Sequence, residues 1–108
     1  MNKNNRHTLW KKPMKEAEKL FLYYYGADSK DIAEEEEDLL DQYIKTDGVD
    51  HALKTAEQLT EVIDSDMKDQ EIEGFMYEKL GSEFLAPEGD SRNWLIRIRD
   101  YLQSKVNQ

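Results

Sequence analysis

The chain predicts an all-α fold, a single small bundle of about five helices, and three observations carry that expectation. Apolar residues recur at helical spacing in five stretches, strand-like alternation is sustained nowhere, and only two prolines and five glycines punctuate 108 residues. A chain of this length suits one domain with one core. The expected division is a flexible basic tail over residues 1–12 and a helical body over 13–108.

The tail opens with "MNKNNRHTLW", polar and basic, from which Trp10 can dock. The first helix is expected to begin at Pro13, a favoured first-turn residue. It places Trp10, Met14, Ala17, Phe21 and Tyr24 on one side, turns Tyr23 and Leu22 outward, and ends at Gly26. "DSKD" at 28–31 announces the second helix, with Asp28 or Ser29 as N-cap. On its wheel Ile32, Ala33, Leu39, Leu40, Tyr43 and Ile44 converge, and "TDG" at 46–48 breaks the pattern.

A third helix carries Val49, Ala52, Leu53, Ala56, Leu59, Thr60 and Ile63 on one stripe before "DSD" at 64–66. The fourth turns Ile72, Phe75, Met76 and Leu80 inward, and Gly81 is its C-terminal stop. The loop "SEFLAPEGD" leads to a last helix, capped near Asp90 or Ser91, that buries Trp94, Leu95, Ile98, Tyr101 and Leu102.

Charge is the second theme. Net charge is −9, but unevenly distributed. Residues 1–27 hold six Lys/Arg against two acids, 28–90 hold 21 acids against five lysines, and 91–108 hold four Lys/Arg against one aspartate. The acidic body peaks in "EEEED" at 34–38. Like charges at i,i+4 weaken a helix, so one such acid reads as solvated helix surface, but the combined excess asks for a cationic counterpart. At 100° per residue, Glu34, Glu37, Asp38 and Asp41 form one outward strip. Glu36 points into the apolar sector instead, either at its rim or paired with a tyrosine hydroxyl, lysine or arginine. Glu57, Glu61 and Asp64 repeat the strip on the third helix with Asp50 nearby, and Glu71 and Glu78 lie on the outer side of the fourth. Tyr23 and Tyr77 are the expected aromatic anchors, because tyrosine is enriched at interface hot spots. The candidate partner-binding set is therefore Tyr23, Glu34, Glu37, Asp38, Asp41, Asp50, Glu57, Glu61, Asp64, Glu71, Tyr77 and Glu78.

Several classes are disfavoured. With no cysteine, disulfides and thiol chemistry are excluded. "DSDMKDQEIEGF" at 64–75 lacks the glycine at the sixth place of a calcium loop, and no Glu-x-x-His pair offers a di-iron site. No cofactor is expected. His7 sits in the tail and His51 near the start of the third helix, neither in a triad-like setting, and no glycine-rich phosphate loop occurs, so the chain is not expected to be an enzyme. An acidic body repels nucleic acid and attracts basic proteins. No apolar run approaches the ~20 residues of a membrane span, and "LFLYYYG" at 20–26 lacks the flanks of a signal peptide. The expected location is the cytoplasm.

Residues 80–102, "LGSEFLAPEGDSRNWLIRIRDYL", form the most distinctive stretch. Leu80, Gly81, Phe84, Pro87, Asp90, Ser91, Trp94, Leu95, Ile98, Arg99 and Leu102 resemble the closing signature of CdiI-type immunity proteins, which protect Gram-negative bacteria in contact-dependent growth inhibition. Phe21, Tyr24, Tyr25, Asp28 and the Tyr43-Ile44 pair resemble the front of the same family. The chain departs from it where many relatives carry His-x-Asp-Trp, since "YGADSKDI" stands there. The resemblance spans roughly residues 17–103. It implies a non-catalytic protein that binds a cognate toxin domain and blocks it in the cytoplasm; a monomer forming a 1:1 complex is the expected state, with a dimer left open. Many such toxins are nucleases that grip phosphates and are therefore basic, so an acidic face can occlude the active site of a ribonuclease. The alternative is an acidic nucleic-acid mimic or adaptor acting on an endogenous DNA-binding protein.

Overall fold

The computed structural model describes residues 9–26 and 32–106, with side chains in the second segment from Glu36 onward. The expected caps Asp28 and Ser29, the side chains of Ile32, Ala33 and Glu34, and residues 1–8 of the expected tail lie outside the described residues. After a helical turn at 9–11, five helices follow: α1 (Lys15–Tyr24), α2 (Ile32–Asp47), α3 (Val49–Ile63), α4 (Asp69–Glu78) and α5 (Ser91–Val106). Among the described residues there is no strand. The fold is a small all-α bundle. It is 19 Å through its shortest axis, the depth of two helices about 10 Å in diameter.

α3 is the centre. It packs most extensively on α5, then on α1 and α2, while α4 rests on α5. Its stripe of Ala52, Ala56, Leu59, Val62 and Ile63 is buried, and the two alanines let neighbouring helices approach closely. Val49, expected on that stripe, is 48% exposed, because it occupies the first turn, beyond the edge of the packing partners. Thr55 is fully buried instead. Its hydroxyl lies 2.6 Å from the Tyr43 hydroxyl, which also lies 2.7 Å from His51 Nδ1. His51 is thus half-buried and held to α2, not a plain surface residue.

Helix boundaries differ modestly from expectation. α1 starts two residues after Pro13, because Met14 adopts φ −133° and ψ 56° and serves as the N-cap, its carbonyl receiving the Glu18 amide at 2.8 Å. Met14 is nonetheless fully buried. α2 runs through the expected breaker at 46–47 and stops only at Gly48, whose φ of 96° turns the chain directly into α3. The Gly48 amide closes α2 on the Ile44 carbonyl at 2.9 Å, and its own carbonyl opens α3 by accepting from Ala52 at 3.1 Å. One glycine is the whole connection.

The α3–α4 corner is organised by Arg92, a residue of α5. Its guanidinium donates to the carbonyls of Ile63 at 2.9 Å, Ser65 at 3.0 Å and Met67 at 2.6 Å. A cation there satisfies the orphan carbonyls at the end of α3 and opposes its negative dipole end. Asp69 reciprocates, its Oδ1 accepting the Arg92 backbone amide in the first turn of α5 at 2.9 Å. Gln58 does the same for α1, accepting the Ala17 amide at 2.9 Å while donating to Glu16 at 2.8 Å. The starts of α1 and α5 are therefore capped across the bundle by side chains from other helices.

Trp10 docks edge-on against Phe75, with ring centroids 5.2 Å apart. α4 ends near Gly81, whose φ of 75° sends the Ser82 amide back to the Met76 carbonyl at 3.0 Å. A Cβ on Gly81 would meet Leu22 Cδ1 at 3.0 Å. Gly81→Ala is thus strained in both backbone and packing, and should lower unfolding stability by about 1–2 kcal/mol. Urea denaturation measures it, and an unchanged midpoint would refute the close α1–α4 approach.

Candidate functional site

The acidic helix α2 has one side chain facing inward and a row facing outward. Glu36 is the inward one. Its Oε2 accepts hydrogen bonds from the Tyr25 hydroxyl at 2.7 Å and the Trp94 indole N–H at 2.8 Å. The position that the apolar sector made anomalous is therefore occupied by a carboxylate paired with a tyrosine hydroxyl, as one of the open alternatives held, and with a tryptophan that was not foreseen. Both donors belong to an aromatic cluster. Tyr25 lies 5.0 Å from Phe21 and 5.6 Å from Trp94, and Phe84 lies 5.4 Å from Trp94. Burial and the adjacent Glu36 charge hold the Tyr25 hydroxyl well above its ordinary pKa.

The outward row is less uniform than its sequence. Glu37 and Asp38 are exposed. Asp41 is exposed too, but its Oδ1 accepts the Tyr101 hydroxyl at 2.7 Å. Burial, that bond and the charges of Asp41, Glu37 and Asp38 push the Tyr101 hydroxyl up to about 12. These three carboxylates and Tyr101 thus share one electrostatic neighbourhood. Between α2 and α5 runs a groove of about 120 Å³ lined by Glu36, Glu37, Leu40, Arg97, Ile98 and Tyr101.

On α3, Asp50, Glu57 and Asp64 are exposed, while Glu61 is half-buried and paired with Lys12. On α4, Glu78 and Tyr77 are exposed, whereas Glu71 is half-buried and accepts the Lys68 backbone amide at 2.9 Å. That contact belongs to the start of α4, where a carboxylate three residues into the helix reaches back to the N-cap. Tyr23 is 71% exposed and beside it Leu22 is 53% exposed. The backbone of Glu34 lies in α2 and its side chain is outside the described residues. The structure thus brings Glu37, Asp38 and Asp41 together on one stretch of α2, and separates Glu61 and Glu71 as partners of the protein's own groups.

Two acids outside the candidate set are also engaged internally. Asp47, nearly buried at the end of α2, pairs with Lys19 at 2.7 Å and accepts the Tyr24 hydroxyl at 3.3 Å. Glu16 is held below the usual carboxylate range chiefly by its bond from Gln58. Among the described residues no group of three or more His, Asp or Glu is placed to hold a metal ion, and no helix is long and apolar enough to cross a membrane.

The family model described as CdiI immunity protein matches residues 14–102. The chain belongs to the CdiI immunity protein family. Its function is accordingly that of the family, neutralising a toxin by binding it. The match begins at Met14, the buried N-cap of α1, and ends at Leu102, the last fully buried residue of α5. It covers the entire core, including Tyr25, Glu36, Arg92 and Trp94. No curated protein and no solved structure matches the chain.

Two outcomes test the buried carboxylate. Glu36→Leu leaves the Tyr25 hydroxyl and Trp94 N–H without their acceptor and should cost about 2–4 kcal/mol of unfolding free energy, whereas Glu36→Gln, which can still accept, should lose about 1 kcal/mol. Equal losses by urea titration would mean the hydrogen bonds are immaterial. The raised tyrosines set an alkaline limit. Because the folded pKa of Tyr25 exceeds the ordinary 10, its contribution is complete below that value and declines as pH rises from about 10 toward the folded value. Unfolding midpoints recorded from about pH 9 to about pH 12 should fall, and less steeply in Tyr25→Phe.

Proposed function

We propose that this immunity protein neutralises a basic nuclease toxin, a ribonuclease, in the cytoplasm, as a monomer in a 1:1 complex, by laying its acidic surface over the toxin's active site. The observation that carries the reading is the division among the carboxylates. Glu36, Asp47 and Glu71 serve the fold, but Glu37, Asp38, Asp50, Glu57, Asp64 and Glu78 stand exposed. Exposed carboxylates in such excess gain nothing from one another and are relieved when a lysine- and arginine-rich surface arrives.

A nuclease must present such a surface to hold phosphates. The same surface attracts the acidic face, so charge complementarity speeds capture and excludes the nucleic acid substrate together. Tyr23 and Tyr77, both largely exposed, are the aromatic side chains available as packed anchors. Inhibition by binding requires no catalytic group.

A tagged copy of the chain co-expressed with the toxin domain encoded beside it should yield a stoichiometric complex that blocks RNA cleavage and weakens as salt rises. Glu37→Lys with Asp38→Lys should weaken that complex at least about tenfold while leaving the helical circular dichroism intact. A complex insensitive both to salt and to these reversals would overturn the acidic-surface mechanism.

A further inference from the structure

The groove between α2 and α5 combines an apolar floor with an anchored carboxylate. Its floor is Leu40 and Ile98, each almost fully buried beneath it. Its carboxylates are of two kinds. Glu37 is exposed at the edge, and Glu36 is clamped through Oε2 by Tyr25 and Trp94. Oε1 of Glu36 accepts no hydrogen bond from any described residue. A half-buried carboxylate that lines an open groove thus has one oxygen locked into the core and one without a bond to any described residue.

The groove's other charged group, Arg97, is held at the rim, 3.5 Å from Asp90 Oδ2. Two lining carboxylates against one guanidinium, with Asp38 and Asp41 adding negative potential at Tyr101, make the groove attractive to a cation and hostile to an anion. Its volume of about 120 Å³ equals about four water molecules, which suits a guanidinium group. A flat, weakly hydrated fork that lies on apolar side chains while pairing with carboxylate oxygens is an arginine, not a lysine.

We propose that this groove is a socket for one arginine side chain of the bound toxin, its guanidinium seated on Leu40 and Ile98 between Glu36 and Glu37. The socket rests on the toxin-binding reading above and deepens it. The exposed acids draw the partner in, while the socket fixes where on α2 and α5 it settles.

The test uses N-acetyl-arginine-methylamide as the probe and the Trp94 indole N–H resonance as the reporter, since that proton is bonded to Glu36. In Trp10→Phe, a variant that leaves Trp94 the only indole, the probe should shift this resonance to saturation. The lysine counterpart should bind several-fold more weakly, and the uncharged citrulline counterpart should leave the resonance unmoved. Glu36→Gln, which retains an acceptor for Tyr25 and Trp94, should weaken probe binding about tenfold or more. Glu37→Gln, at an exposed position with no bond to a described residue to lose, should weaken it several-fold.

An unmoved Trp94 resonance, or probe affinity unchanged in both variants, would overturn the socket. A wild-type dimer that Glu36→Gln dissociates in sedimentation would overturn it in favour of a second copy as occupant. If the toxin complex forms with undiminished affinity in both glutamine variants, the socket falls while the immunity reading stands. If the probe binds as described but the neighbouring toxin domain does not, the groove's preference for arginine stands, while its assignment to that toxin falls together with the nuclease reading.

Discussion

One carboxylate shared by two aromatic donors holds the bundle in register. Tyr25 and Trp94 each bring a large apolar ring and one polar tip into the core, and a buried tip left without an acceptor is destabilising. Glu36 supplies a single charged oxygen for both, and in doing so joins the end of α1, the second turn of α2 and the first turn of α5. α2 packs chiefly on α3 and only lightly on α1, so this bond, together with the buried Leu40 and Tyr43 and the Tyr43 hydroxyl's contacts to Thr55 and His51, commits its acidic length to one rotation about its own axis. Rotating α2 by one residue would remove the acceptor and carry Glu37 into the aromatic cluster. The outward direction of Glu37 and Asp38 is thus a consequence of the inward direction of Glu36.

The same economy governs helix ends. Gln58 caps α1 from α3, Asp69 caps α5 from α4, and Arg92 of α5 gathers three carbonyls at the end of α3 and in the turn after it. Each contact satisfies a backbone group that a helix end leaves orphaned, and each does so only if two helices sit in their native places. At these ends capping is a tertiary interaction. It makes secondary structure and packing mutually dependent, which favours one cooperative unit over independently fraying helices.

These features explain what was legible in the sequence. Five helices and most of their buried faces followed from apolar spacing, since Ala52, Ala56, Leu59, Ile72, Phe75, Trp94 and Leu102 obey the 3.6 period without help. Glu36 was legible as an anomaly, but its indole partner was not, because Trp94 lies 58 positions away and spacing reports only neighbours along the chain. Arg92 gave no signal at all: an arginine in a first turn reads as surface, and its carbonyl partners have no side-chain identity. Glu71 read as outward because the residue it caps is a lysine, outside the serine, threonine, aspartate and asparagine pattern that marks helix starts. Asp41 and Glu61 were correctly placed near the surface, yet their partners Tyr101 and Lys12 come from distant segments.

Sorting the acids this way changes what a surface charge count means. The excess over residues 28–90 suggests one uniform field, but several of its members are engaged within the fold: Asp47 and Glu61 by lysines, whose charge offsets theirs, and Glu36 and Glu71 by neutral donors, which fix a carboxylate's direction without cancelling charge. What remains is a smaller set of solvent-facing carboxylates with mobile side chains, suited to long-range attraction and weakened by salt. Mobile charges steer well and specify poorly, because fixing each long side chain on binding loses rotamer freedom. Glu36 has already lost that freedom to the core. A carboxylate immobilised before the partner arrives can impose geometry at little further entropic loss, and an immobilised acid beside a row of free ones gives recognition a fixed reference point within an otherwise diffuse field. On this reasoning the charge that stabilises the fold and the charge that selects the partner need not be different residues.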